Sequence, residues 1–523
     1  MKQFFSRYRN ISVTAALCCF FCYFYLMING HAGPDATSEG VHFYRNADWA
    51  TQCGRWMIRY LNELFGKNAI IPFIIVIAYC AMIALSAMLL CEMLPIRKRS
   101  AQVLLSAALV SFPVISVQFG YLYMALSYSF SFLTVTAGYY LLRMRKLPAF
   151  FGAVLCFLLM LGSFQAYIGA LAAMGLLFFL SDLLREKELK KALSDLGAAV
   201  GAAAIACVLN FAVMEVMLRI YKLGAADRVE SFSVAAIFEN LSFSLKYSYV
   251  WFFTPFWDAD VLFRRKLYLL FFALILIAAG GCLWVLIAGL KETKKRPLQD
   301  LIRPVLFVPA FLLLPLAMNV CVVLFPTNGI YAVMQYHYAL IFPLFFVLSE
   351  YCSEKLSFRP FGKALGFGGS GALFVLICTW TLSANATWIL NGLIYDHCLQ
   401  QATLMIGQVY ELDDYHYRET PVVLGGAIDY SDLRGIYAML FRYAKMGAGP
   451  IFWENPYGMT QGRYHFFREY MGFDARWISQ DEYLAVVNSE EYRLMPVWPE
   501  KGSVAMINGY AVIKNSEEPP GLE

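Results

Sequence analysis

Charge is the scarcest property of this 523-residue chain: Asp, Glu, Lys and Arg make up 15% of it, against 60% hydrophobic and 16% aromatic residues. A soluble domain carries nearer a quarter charged residues, so a soluble globular fold is excluded. The net charge is only +5, which leaves no electrostatic footprint for nucleic acid. There are six histidines, and no two stand at a ligand spacing such as His-x-x-x-His. No motif requires a cofactor; a divalent metal remains possible but is not indicated. Internal repeats and low-complexity segments are absent. No small-residue cleavage site follows the first apolar run, so that run reads as a retained helix and not as a signal peptide.

What the chain has instead is apolar runs. They recur from Ile11 to Leu390, each long enough to cross roughly 30 Å of hydrocarbon. Lipid-exposed backbone must satisfy its own hydrogen bonds, so the expected class is a polytopic helical membrane protein. Basic clusters punctuate the runs: Lys2/Arg7/Arg9, Arg97–Arg99, Arg143/Arg145/Lys146, Arg185/Lys187/Lys190/Lys191, Lys291/Lys294/Lys295/Arg296 and Lys355/Arg359/Lys363. The positive-inside rule places all of them in the cytoplasm. Residues 149–180 are apolar throughout but have a cluster at each end. Two short helices broken at Gly162-Ser163 keep both clusters inside, so a re-entrant or hairpin pair is expected there. About eleven spans result, with the N-terminus cytoplasmic and the C-terminus extracytoplasmic. This scheme leaves Arg264-Arg265-Lys266 on the outer face, as an exception to the rule or as a phosphate contact.

Residues 1–392 form the expected transmembrane domain, with outer loops at 30–68 and 219–266. The second loop contains FENLSFSLKYSYVWFFTPFWD, whose tryptophans and tyrosines suit the headgroup zone. Residues 393–523 change to soluble polarity and read as a small extracytoplasmic α/β domain. Thr420-Pro421-Val-Val-Leu-Gly-Gly predicts a strand ending in a turn. SVAMINGYAVIK at 503–514 predicts a β-hairpin, because Asn508-Gly509 accepts positive φ at both turn positions.

Most of the 13 cysteines sit in apolar runs and behave there as small hydrophobes. Cys19-x-x-Cys22 is packing, and Cys53 and Cys398 read as the exposed pair. Gly366-Phe-Gly368-Gly-Ser-Gly371 has the G-x-G-x-x-G spacing without the strand that gives it meaning. It reads as helix packing, as do Gly197 and Gly201. The sequons at Asn10, Asn240 and Asn385 lie in or beside spans.

The first outer loop carries the densest chemistry. Asp35 and Glu39 sit in a Gly/Pro-rich stretch, and Arg45 and Asp48 follow. Asn46 can cap a helix starting at Ala47. On that helix Trp49, Cys53, Trp56, Tyr60 and Leu64 share one face by spacing, and Arg55 and Arg59 share another. A plain amphipathic surface helix would look the same, and an isolated aspartate in such a turn is usually a turn former. Gln165 and Tyr167 follow the Gly162 break; Gln335, Tyr336, His337 and Tyr338 open another span at the same level. Polar groups there serve either function or interhelical hydrogen bonding.

Together these motifs resemble the GtrII-like glucosyltransferases of bacterial envelopes. The resemblance rests on the early loop aspartate, the Trp49…Gly54-Arg55-Trp56 pattern, and Phe164-Gln165-Ala166, similar to that family's Tyr-Gln-Ala. The closing hairpin after Pro499 adds to it. Nearly the whole chain is covered by motifs that are individually short and gain weight from their order. The resemblance implies a GT-C-like architecture and a polyprenyl-phosphate sugar donor used on the outer face. It implies Asp35 as the catalytic carboxylate. Many relatives have paired acids or His-Asp where this chain has Pro34-Asp35, which keeps Asp48 and Glu39 as alternatives. The expected phosphate partner is Arg55, with Arg45 or Arg228. Trp49, Trp56, Gln165, Tyr167, Tyr336 and His337 are the expected substrate-pocket residues.

The reaction so implied needs a base for the acceptor hydroxyl and cations for the departing phosphate. One-step attack would invert the sugar. The acceptor would be a cell-envelope polysaccharide, such as an O-antigen, or a glycolipid; a flippase and a donor-lipid synthase would supply the donor. A nucleotide-sugar enzyme would need a cytoplasmic catalytic domain, and every cytoplasmic loop is too short for one. The rival class is a transporter or flippase of lipid-linked saccharides, with Glu215 as its best intramembrane acid. A non-catalytic glycolipid-binding scaffold is a third reading, separated from an enzyme by mutating the loop acids.

Overall fold

The computed structural model describes residues 2–30, 47–66, 69–185, 187–226, 234–257, 264–290, 298–324, 330–356, 359–426, 431–444, 464, 466–468, 471–476 and 478–517. It is overwhelmingly helical. Among the described residues seven helices are long and apolar enough to cross a bilayer: Arg9–Asn29, Pro72–Met93, Arg99–Phe119, Gln165–Leu184, Leu189–Tyr221, Arg264–Gly289 and Pro360–Tyr410. The other apolar helices are shorter, as at Leu147–Ser163 and Leu301–Leu312, which is where the distance from the expected eleven arises. Leu122–Leu142 is as long as a span but rich in serine, threonine and tyrosine. Its Ser127, Ser129, Thr134 and Thr136 hydroxyls donate to carbonyls three or four residues back, so these groups need no water.

The expected break in residues 149–180 is present. The Leu147–Ser163 helix ends at Phe164, a single 3₁₀ turn covers Gln165–Tyr167, and Ile168–Leu184 runs back. The two flanking basic clusters meet in one ionic network. Arg143 pairs with Asp182 at 3.0 Å, Arg145 with Asp195 at 3.0 Å, and Lys187 with both acids at 2.9 and 2.6 Å. Arg303 donates to the Lys187 carbonyl at 3.1 Å. Arg185 lies in the field of Arg143, Arg97 and Glu354, and its pKa is lowered mainly by burial and then by Arg143. Arg7 pairs with Glu92 at 3.1 Å, and Glu350 accepts from the Arg97 amide at 3.4 Å. The described basic clusters therefore gather at one end of the bundle.

The opposite end carries the first outer segment and the tail. One helix, Arg359–Tyr410, runs 52 residues from the basic end, about 78 Å at 1.5 Å per residue. Asn385 donates to the Phe21 carbonyl at 2.6 Å, so the upper part of this helix stands beside the top of Arg9–Asn29. The bundle core includes Trp388, and a second core starts at Leu390. That second core joins the last turns of the helix to a three-stranded sheet of order β1-β3-β2: β1 Val422–Gly425, β2 Val504–Ile507 and β3 Tyr510–Lys514. β1 is parallel to β3, and β2 is antiparallel to it with Val504 opposite Ile513. The predicted hairpin forms, with Asn508 at φ 50° and Gly509 at φ 82°.

Three packing expectations change. Cys398 is buried in the tail core and not exposed. In the Gly366–Gly371 run only Gly369 is a close-packing residue, against Phe345; its neighbours face open space. Gly197 and Gly201 also meet nothing within 4 Å, so they do not pack helices within this chain.

The tail lies at the end of the bundle opposite the described basic clusters, a place the positive-inside rule predicts to be extracytoplasmic. A single cysteine introduced near Glu517, with the native cysteines controlled, is expected to react with an impermeant thiol reagent in intact spheroplasts. Reaction only after permeabilisation would reverse the orientation.

Candidate active site

The first outer segment is built around one residue, Gly54. The Ala47–Gln52 helix stops in a turn in which Gly54 N–H donates to Thr51 O at 2.9 Å and Arg55 N–H to Ala50 O at 2.8 Å. Gly54 has φ +76°. This is a Schellman stop, which satisfies two end carbonyls and favours glycine at the left-handed position. A second helix, Met57–Gly66, then starts in a new direction. The continuous helix expected from Trp49 to Leu64 is thus two helices, and the shared face does not exist. Trp56 is buried while Trp49, Tyr60 and Leu64 are exposed. The stop was written in the sequence as the glycine, which apolar spacing alone passes over.

The turn docks on the bundle. Trp56 Nε1 donates to Asn210 Oδ1 at 3.0 Å. Its ring lies against Gly162, where a Cβ would come within 2.3 Å of it. Gln165 Nε2 donates to the Cys53 carbonyl at 3.1 Å. The helix break at Phe164 thus serves as the seat for the outer segment. Asn62 Nδ2 donates to the Tyr123 carbonyl at 2.9 Å, and the Ala226 amide donates to Gln52 O at 3.2 Å.

Arg55 is carried by this turn. Its guanidinium carbon sits 5.0 Å from the centre of the Phe164 ring, and Nη1 is 3.9 Å from the Met124 sulfur. Nε is buried without a hydrogen-bond partner. No carboxylate among the described residues pairs with it. A half-buried cation on an aromatic floor is an incomplete arrangement, since desolvated charge favours a counter-charge. Asp48 and Arg59 behave differently. Their side chains form an ion pair, and Arg59 also stacks 3.9 Å over the Tyr221 ring. They brace the outer segment against the end of the Leu189–Tyr221 helix.

The remaining expected pocket residues lie deeper. Tyr167 accepts from Gln118 Nε2 at 3.1 Å; Gln118 also donates to Val333 O at 2.8 Å and accepts from Tyr79. Tyr336 donates to Leu109 O at 2.9 Å. His337 Nε2 lies on the Met318 carbonyl, while its Nδ1 has no partner. All three side chains are buried within the bundle, where they join helices. Gln335 is buried and Tyr338 donates to Asn319. Gln118 and Asn210 were not singled out from sequence. Their signal was a lone amide inside an apolar run. Glu215 pairs with Arg219 at 2.8 Å on an exposed face, so it does not line an internal pathway. The Leu241–Trp257 helix packs by Ser244, Ser248, Phe252 and Phe256, and Arg264 is buried at the start of its helix. Asp35, Glu39, Arg45 and Arg228, with Asn46, His31, His42 and His465, lie outside the described residues.

The bundle and this turn define a membrane protein in which the segment carrying Gly54 is seated on a broken helix and holds a cation with no carboxylate partner among the described residues. A family model described as Glucosyl transferase GtrII matches residues 24–348. The match spans more than half of the chain and includes the Gly54 turn, Gln165 and Tyr336-His337, so the chain belongs to this glucosyltransferase family. It stops short of the long Arg359–Tyr410 helix and the tail, although the closing hairpin contributed to the resemblance noted from sequence. No curated protein and no solved structure matches the chain.

Gly162→Ala is expected to overpack the Trp56 contact and destabilise the protein by about 1–3 kcal/mol. In a Trp56→Ala background the same change should cost much less, since the clashing ring is gone. Thermal unfolding of the four proteins in one detergent checks this. Equal costs in both backgrounds would place Trp56 elsewhere.

Proposed function

We propose that this protein transfers a hexose, glucose being the family's sugar, from a polyprenyl-phosphate donor to an envelope polysaccharide or glycolipid on the outer face of the bacterial inner membrane. The observation that supports this most is the unpaired Arg55 guanidinium in a turn that lies inside the matched family region. Nothing described neutralises it, and a donor phosphate at the membrane surface has the complementary charge. Arg45 or Arg228 would share that role.

Asp35 is the proposed general base, with inversion at the sugar. It takes the proton from the acceptor hydroxyl as the oxygen attacks the anomeric carbon. The bond from that carbon to the polyprenyl-phosphate oxygen breaks, and the cations stabilise the departing phosphate. Asp48 and Glu39 are the alternatives. The Asp48–Arg59 ion pair gives Asp48 a bracing role, which favours Asp35. Trp49 and Trp56 would line the sugar side of the site, and Gln165 would hold the turn in place. A saccharide transporter is the weaker reading, because its best acid, Glu215, is paired on an exposed helix face.

Asp35→Asn keeps the size of the side chain and removes its basicity, so sugar transfer should fall by about 10²–10⁴. Asp48→Asn should cost far less. The comparison is donor turnover by the two variants at matched membrane insertion. A near wild-type rate for Asp35→Asn with loss in Asp48→Asn would make Asp48 the base.

A further inference from the structure

The basic end of the bundle contains a groove with no part in the proposed transfer. It is a cavity of about 420 Å³ between the starts of the Leu147–Ser163 and Leu189–Tyr221 helices, lined by Arg145, Lys146, Lys191, Ser194 and Asp195, with Leu147 and Phe150 on its apolar side.

Three features point to an anion. First, both helices begin here without a side-chain cap: Lys146 and Glu188 occupy the capping positions and neither accepts from its helix. The positive ends of two helix dipoles therefore lie at the groove, although Pro148 has no N–H to offer and the Lys191 N–H is taken by the Glu188 carbonyl. Second, the one acid lining it is already occupied. Asp195 takes Arg145 through two bonds at 3.1 and 3.0 Å and Lys187 at 2.6 Å. Third, the nearby lysines are available. Lys146 forms no ion pair among the described residues. Lys191 has only a surface contact with Glu188 at 3.1 Å, both side chains being more than half exposed, and such pairs contribute little. Arg145 stands at φ +52°, a costly conformation for a residue with a Cβ, held where its guanidinium spans the gap to Asp195.

The groove has an exposed apolar flank: Leu147 lines it and Phe151 follows one turn further along the same helix face. A soluble anion has no use for that flank, whereas an acyl chain does. Basic pockets between transmembrane helices at the cytoplasmic level suit anionic lipid headgroups.

We propose that this groove binds an anionic phospholipid. Its headgroup phosphate takes the Lys146 and Lys191 ammonium groups at the positive ends of the two helices. Its acyl chains lie along Leu147 and Phe151. The lipid completes the charge pattern that joins the Leu147–Ser163/Ile168–Leu184 hairpin to the Leu189–Tyr221 helix, and it does so at the end of the bundle remote from the Gly54 turn.

The test uses the purified full-length protein in detergent, titrated with phosphatidylglycerol or phosphatidylcholine and read by native mass spectrometry. Phosphatidylglycerol should bind more tightly than phosphatidylcholine. Lys146→Gln with Lys191→Gln should weaken it by about five-fold per lysine at low salt. The paired Lys→Arg variant should retain binding, and Lys363→Gln, which removes an exposed cation elsewhere at the same end, should leave it unchanged. The proposal fails if the double Gln variant binds phosphatidylglycerol like wild type, if Lys363→Gln loses as much, or if phosphatidylcholine binds equally well. It also fails if inorganic phosphate displaces phosphatidylglycerol completely, since the site would then be one for a free anion.

Discussion

The fold depends most on how the first outer segment is held against the membrane bundle. A helix carrying Asp48 and Trp49 must stop, turn and send its next residues inward, and Gly54 at positive φ makes that turn. Trp56 then enters the bundle against Gly162, and Gln165 holds the turn by donating to the Cys53 carbonyl. The seat exists because the apolar run over 149–180 is broken at Phe164 and its second half returns toward the basic end. One irregular stretch of backbone in the bundle is thus matched to one irregular stretch outside it. This is the arrangement expected where non-helical backbone is tolerated at membrane depth only under cover of protein.

Charge is distributed with the same economy. The described basic clusters collect at one end, where Asp182 and Asp195 each take two cations. At the other end no carboxylate among the described residues pairs with Arg55, which rests on Phe164. A half-buried cation with no counter-charge among the described residues is suited to an anionic ligand. That contrast supports a phosphate-bearing donor at the Gly54 turn. The 52-residue helix that leaves the bundle beside this end carries the tail domain with it.

Much of this was legible in sequence for simple physical reasons. The hairpin within 149–180 follows from basic clusters at both ends, which a single span would put on opposite sides of the membrane. The tail sheet follows from Asn508-Gly509 and from the valine run after Pro421. What was not legible involved direction. Helical spacing counted Trp49 and Trp56 as one face because it carries no information about a stop at Gly54. Tyr167, Tyr336 and His337 were recognisable as polar groups at one membrane level, but their partners are a carbonyl on a distant helix or an amide such as Gln118, which only the fold brings together. Gly197 and Gly201 have the spacing of a packing motif and yet face away from the chain, since spacing does not say which side has a neighbour.

The central claim is that the donor is recognised through a lipid phosphate at the outer face. The most direct measurement gives purified protein a saccharide acceptor together with either a polyprenyl-phosphate hexose or the corresponding nucleotide sugar. The account predicts transfer from the polyprenyl donor alone, with Arg55→Gln raising KM for that donor. Turnover of the nucleotide sugar in the absence of any polyprenyl carrier would contradict it.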